Sequence, residues 1–390
     1  MTAYQRVYTA IDGGVPDRVP AVPKIWVDLG AALTKTPLVE VVKDPMTALR
    51  VIAEAGRLCG VDGVRQFHFP ARQVAERDGH VYEVDSDGSL VGEVDMQGGL
   101  STHLRDPSRF NIADPYYMSF HHYWSADVPF VADTNDAGRM AVPTKSSFEE
   151  LGWADRLEAI RAEIGDEIAL LGDCSSGTMA FLVCMRGMTQ AMMDLIDDPR
   201  LVHAIMEKGI AIAVEKAKFN IDRGITMLRL NDSVGNMSVM SPDHWREFVF
   251  PHMKDFCTEV HRYNKSARIY CHICGNTLPI AEDLVETGLD CIGPLDPLGG
   301  MTPADIRGRV GDAVSLMGGV NTLSFVNNTD EEVVAEARDC IEGAGAGGGF
   351  ILGSGCVVPR SARLETVAAL RTATETFGVY NQGRLARTTH

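Results

Sequence analysis

From Ile168 to Phe377 short apolar runs alternate with helical stretches, a rhythm that admits few folds. Strand-like runs at Ile168–Leu171, Met227–Leu230, Arg268–His272, Asp290–Ile292, Val314–Met317 and Phe350–Leu352 are each followed by a helix-length segment. Strands joined through helices pair in parallel, so the pattern predicts repeated βα units. Ala21–Pro23 and Val64–Phe69 add two strands nearer the N terminus. The count reaches roughly eight, which closes a TIM-type (β/α)8 barrel. A doubly wound open sheet is the alternative, and its dinucleotide fingerprint is missing. The expectation is an α/β fold with one barrel domain over residues 1–390. Val81 to Val94 alternates about Ser86-Asp87-Gly88-Ser89 as a β-hairpin does. Residues 70–143 therefore read as a hairpin-containing insertion over the barrel mouth.

Barrel enzymes keep their chemistry where strands end and βα loops begin. The strand Ile269-Tyr270-Cys271-His272 runs into Ile273-Cys274-Gly275. Side chains alternate along a strand, so His272 and Cys274 face one way and Cys271 the other. An imidazole and a thiolate two residues apart form half of a zinc site. Cys356, after the strand ending Leu352-Gly353-Ser354-Gly355, is the best third donor. Three protein ligands leave a fourth position for substrate, the arrangement of a catalytic zinc. Asp232 and Asp173 also follow barrel strands. Asp232 is the candidate for an acid, a fourth ligand or a partner to His272, with capping of the following segment as the plainer reading. Asp173 reads as structural. Cys257, Cys271, Cys291 and Cys340 read as packing thiols.

Composition narrows the partners. A formal charge of −17 argues against nucleic acid or an anionic membrane surface. No run of about 18 apolar residues predicts a membrane span. The opening Met1 to Asp12 has no apolar signal core, so the expected location is the cytoplasm. Nine scattered cysteines fit reduced thiols or metal ligands better than a disulfide framework.

At these residues the chain resembles the uroporphyrinogen decarboxylase superfamily, and within it the zinc-dependent methyltransferases that work with corrinoid proteins. Similar stretches are Arg6 to Pro20, Gly224 to Pro251, His272-Ile273-Cys274-Gly275, Gly288 to Gly319 and Gly347 to Val358. The His-x-Cys pair followed by a late Gly-Cys is the specific part. The resemblance implies zinc on His272, Cys274 and Cys356, and a corrinoid carried by a partner protein. No corrinoid-binding Asp-x-His-x-x-Gly motif occurs in this chain. The decarboxylases carry an Arg-Gln-Ala-Gly-Arg loop after the first strand. Here the same region reads Lys24-Ile25-Trp26-Val27-Asp28-Leu29-Gly30, which leaves a many-carboxylate tetrapyrrole without bidentate partners.

The expected function is transfer of a methyl group between a small methylated substrate, methoxy-aromatics among them, and a corrinoid protein. His121, His122 and Trp124, with Phe120 and Phe130 nearby, are the candidate walls of a substrate pocket. Four readings stay open beside it: a methylcobalamin-to-thiol methyltransferase of the coenzyme M type, a zinc-dependent epoxide–thiol transferase, a metal-free decarboxylase-like enzyme, and a barrel that binds metal or corrinoid without turnover.

Overall fold

A computed structural model describes residues 1–386. In chain order, β1 (Gly63–Arg65) is followed by five short strands: β2 (Val74–Arg77), β3 (His80–Val84), β4 (Leu90–Val94), β5 (Thr102–Leu104) and β6 (Trp124–Ser125). Then come β7 (Ala169–Ser176), β8 (Met227–Asn231), β9 (Arg268–His272), β10 (Cys291–Leu295), β11 (Ser315–Val320) and β12 (Phe350–Ser354). One parallel sheet runs β1-β7-β8-β9-β10-β11-β12. It curls into a TIM-type barrel with helices outside.

The two edges meet through residues 19–24. Leu352 donates to the Pro20 carbonyl at 2.9 Å, Val22 donates to the Leu352 carbonyl at 2.7 Å, and Asp62 donates to the Ala21 carbonyl at 2.8 Å. The expected strand at Ala21–Pro23 is thus an eighth stave, but it contributes only isolated bridges, at Ala21 and Lys24. Pro20 and Pro23 have no N–H to extend a ladder. The expected strand Val64–Phe69 is likewise shorter: the ladder stops at Arg65, and Gln66 adds one bond to the Leu171 carbonyl.

The seam is locked by charge. Asp62 is buried and accepts from Arg18 twice at 2.7 Å, from Arg6 at 2.8 Å and from the Ala21 amide at 2.9 Å. A buried carboxylate persists only when paired and hydrogen-bonded in this way. Below the seam the Ala3–Ile11 helix plugs the barrel. Thr2 opens it with a capping box to Gln5, and Val7, Ala10 and Ile11 pack against Val22, Leu171, Met227, Tyr270, Met317 and Ile351.

The stretch expected to hold a hairpin holds a five-stranded sheet. β3 and β4 form that hairpin, β2 and β5 flank it antiparallel, and β6 joins β5 in parallel. The signal for the rest was weak because β2, β5 and β6 have four, three and two residues. No single helix among the described residues is long and apolar enough to cross a membrane.

Removing the Asp62 carboxylate leaves the buried Arg18 guanidinium without its charged partner, while Arg6 keeps Asp17 at 2.6 and 2.8 Å. Asp62→Ala should cost about 3–5 kcal/mol in urea unfolding, and the double variant Arg18→Met/Asp62→Leu should cost clearly less. Equal losses in both would show that the seam does not depend on the charge pair.

Candidate metal centre and substrate cavity

β9 delivers Tyr270 and His272 into the barrel and Cys271 into the helix-facing core. The chain then turns at Gly275, whose φ of +85° suits glycine, so Cys274 stays at the rim. Cys356 follows β12, three strands further round the same rim. The ligand atoms of His272, Cys274 and Cys356 all lie within 4.8 Å of one another. Cys356 Sγ is 4.0 Å from His272 Nε2. Tetrahedral zinc with these donors needs separations of about 3.5–3.8 Å, so a small closure of the triad would admit the ion.

Both nitrogens of the His272 ring have close partners. Lys24 Nζ sits 3.0 Å from His272 Nε2, placing an amine against the would-be metal face. On the other side of the ring, Tyr270 Oη is 3.0 Å from Nδ1, and Arg65 reaches both Tyr270 Oη at 3.0 Å and Nδ1 at 3.2 Å. Arginine only donates, so Tyr270 Oη is the partner able to accept an Nδ1 hydrogen. That tautomer leaves the Nε2 lone pair facing Lys24 at 3.0 Å, with Cys356 Sγ 4.0 Å away, and a metal ion there would take the place of the amine.

Burial, reinforced by Lys24, Arg65 and Arg229, holds the His272 imidazole well below its ordinary pKa and so neutral. A hydrogen bond between the two thiols lowers Cys356 and raises Cys274, making Cys356 the first to ionise. Burial, aided by Arg229, brings the Lys24 amine down to about 7. A neutral imidazole and a ready thiolate are the protonation states that metal binding requires.

A cavity of about 550 Å³ opens beside this triad. Lys24 belongs to both. Val357 follows Cys356, and Ser233, whose carbonyl lies 3.9 Å from Cys274 Sγ, lines the same wall. Trp26 and Phe67, in edge contact at 4.4 Å between ring centres, form an aromatic side. Ala180, Val183 and Val234 are apolar. Ser175 and Ser176 from β7 and Arg229 and Asn231 from β8 supply polar groups at the strand ends. Arg229 is already engaged, with Asp173 at 2.6 Å and Asn231 Oδ1 at 2.6 Å. Gln97, Gly98 and Gly99, between β4 and β5, complete the wall.

Of the residues expected to touch substrate, His122 lines this cavity and the other two do not. Burial, with Lys216 and Arg229 nearby, takes His122 down to about 3, so it stands there as a neutral ring. His121 is buried, with Nδ1 on the Met118 carbonyl at 3.0 Å and its edge on Phe181. Trp124 pairs with Thr102 in the small sheet and packs on Tyr116 and Tyr117. Both serve the core under the cavity wall.

Asp232 is also turned away from the triad. Its Oδ1 accepts from the Ala180 amide at 2.7 Å, capping the Met179–Arg186 helix from outside. Burial raises it to about 6, against the hydrogen bonds from Ala180 and Thr178. The partners of His272 are Tyr270 and Arg65, in the role foreseen for Asp232. Lys24, Arg65, Tyr270 and Arg229 were missed. Strand parity was the signal that could have found them, since Tyr270 shares a face with His272, and Arg229 with Asn231.

The uroporphyrinogen decarboxylase (URO-D) family model matches residues 126–377. A methylcobamide:CoM methyltransferase of Methanosarcina barkeri is 21% identical over 224 residues, 57% of this chain and 62% of that protein. A uroporphyrinogen decarboxylase of Coxiella burnetii is 26% identical over 189 residues, 48% of this chain and 51% of that one. The matched stretch thus spans between about half and three-fifths of these curated relatives. A solved methyltransferase structure from Methanosarcina mazei superposes with a TM-score of 0.68 at 17% identity, covering 96% of this chain and 98% of that one. That likeness concerns the fold. The family match runs through the strands that carry His272, Cys274 and Cys356, and on its extent the chain belongs to the uroporphyrinogen decarboxylase family.

Proposed function

We propose that this protein is a zinc-dependent methyltransferase that moves a methyl group between a small methylated compound and a corrinoid held by a partner protein, in the cytoplasm. The observation that carries the reading is the His272/Cys274/Cys356 triad next to a substrate-sized cavity, joined to its wall through Lys24, Ser233 and Val357. Two relatives named for methyl transfer to coenzyme M support the reaction class. Decarboxylation of a tetrapyrrole fits less well. The charged cavity lining is balanced, Lys24 and Arg229 against Asp28 and Asp173, and the buried Arg65 and Arg229 already have partners. Several substrate carboxylates would find no free guanidinium.

Zinc bound by the triad would supply a Lewis acid, able to polarise an ether oxygen or lower the pKa of a thiol. The remaining work falls to the chain. Tyr270 orients His272 so that Nε2 faces the cluster. Lys24, at about 7, can take a proton released as thiols ionise near neutral pH. Trp26, Phe67 and the neutral His122 would flank a flat ring, and Asn231 and Ser176 would meet its polar substituents. Ala180, Val183 and Val234 exclude water. This aromatic wall favours a methoxy-aromatic donor and an O-demethylase first component. The relatives' names favour a second reading, a thiol as methyl acceptor.

Protein reconstituted with zinc under reducing conditions should hold about one ion per chain, and Cys356→Ala should lose it. Zinc-loaded wild type should demethylate methoxylated aromatics only when reduced corrinoid protein is present. Turnover by zinc-free protein would overturn the proposal. Methyl transfer from a methyl-corrinoid to a thiol, with no demethylation of aryl ethers, would select the second reading.

Tyr270→Phe removes the acceptor for the Nδ1 hydrogen of His272. Zinc affinity by chelator competition should fall about 10–100-fold. An unchanged affinity would mean that Tyr270 does not orient the ligand.

A further inference from the structure

The cavity holds a second constellation that methyl transfer leaves unused. Ser175, near the end of β7, has a φ of +62°. A non-glycine residue in this left-handed region costs about 1–2 kcal/mol. The same kink shifts the β7–β8 register between Asp173 and Ser176. Ser175 thereby lines the cavity just ahead of the Met179–Arg186 helix.

Behind it stands Lys216, deep in the Pro199–Asp222 helix and only 2% exposed. Its Nζ contacts Ser175 Oγ and lies 2.8 Å from the Ser119 carbonyl. Among the described residues no carboxylate forms an ion pair with it. The Ser175 hydroxyl donates to Asp173 Oδ2 at 3.3 Å, and that carboxylate, the nearest acid in the network, is itself paired with Arg229. Burial brings the Lys216 amine down to about 8, with Asp173 and Cys174 opposing the shift, so a fraction is neutral near pH 7. A buried amine free of any ion pair, touching a hydroxyl on a strained turn in a cavity wall, has the layout of an activated nucleophile.

We propose that Ser175 is an acyl-accepting nucleophile with Lys216 as its general base, giving this cavity an activity toward small activated esters. As Oγ bonds to the ester carbon, its proton passes to Nζ. The bond to the leaving alcohol then breaks, and the alcohol takes that proton. Water attacks the acyl-serine, Oγ recovers a hydrogen through Nζ, and a carboxylic acid departs. The sum is ester plus water giving acid plus alcohol. The inference does not rest on zinc or corrinoid.

The test is reaction of the full-length protein with a fluorophosphonate, before and after treatment with a zinc chelator, read by intact mass and peptide mapping. A single adduct on Ser175 under both conditions is expected. It should vanish in Ser175→Ala, a variant that keeps Lys216 on the Ser119 carbonyl and is expected to fold. Lys216→Gln should slow the labelling by at least about 100-fold, the usual scale for loss of a general base. Hydrolysis of 4-nitrophenyl acetate should fall to the uncatalysed rate in Ser175→Ala. An unlabelled wild type, an adduct that persists in Ser175→Ala, or folded Lys216→Gln labelled at the wild-type rate would each overturn the proposal.

Discussion

The Asp62 carboxylate holds the barrel shut. A charge in an interior of low polarity costs several kcal/mol unless it is met by opposite charge and by hydrogen-bond donors. Asp62 has both, from Arg6, Arg18 and the Ala21 amide. The consequence reaches the other end of the molecule. Residues 19–24 are anchored beside Arg18 by this clamp, and at Lys24 by a hydrogen bond from its backbone amide to Ser354 Oγ at 3.0 Å. The side chain of Lys24 then meets His272. A contact at the closed end of the barrel therefore fixes the position of a cation at the open end.

Much of this fold was legible because its signals are periodic. Six strand–helix repeats after Ile168 give a parallel sheet, and the sheet gives a rim. His272, Cys274 and Cys356 could be gathered because all three stand at strand ends, and their chemistry is narrow. The eighth stave was harder to read. Pro20 and Pro23 mark it as extended but deny it a ladder, so its closure depends on Arg18 and Asp62, 44 residues apart. The small sheet was harder still, because strands of two to four residues carry almost no alternation.

The expected site residues that stand elsewhere do so for particular physical reasons. His121 and Trp124 belong to an aromatic-rich stretch, and an aromatic ring suits a core as well as a cavity. The sequence does not say which rings face outward. Trp26 and Phe67 line the cavity instead, from positions on either side of the barrel seam. Asp232 stands at a strand end, as a catalytic group would, yet the unpaired amides at the start of the Met179–Arg186 helix claim it first. Lys24, Trp26, Arg65, Phe67, Gln97 and His122 all precede the family match at residues 126–377. The His272, Cys274 and Cys356 cluster thus lies in the matched part of the chain, and much of the cavity wall lies outside it.

The N-terminal plug has a kinetic consequence. With Val7, Ala10 and Ile11 filling the lower end of the barrel, the cavity has no way out through that end. Whatever enters must leave by the rim, and a large molecule seated there shuts the exit. Under the proposed reaction this imposes a compulsory sequence: the small molecule goes in first, the protein that carries the cofactor covers it, and the demethylated product waits until the cover lifts. Exchange of the two proteins, and not diffusion of the small molecule, then sets the earliest moment at which the next cycle can begin.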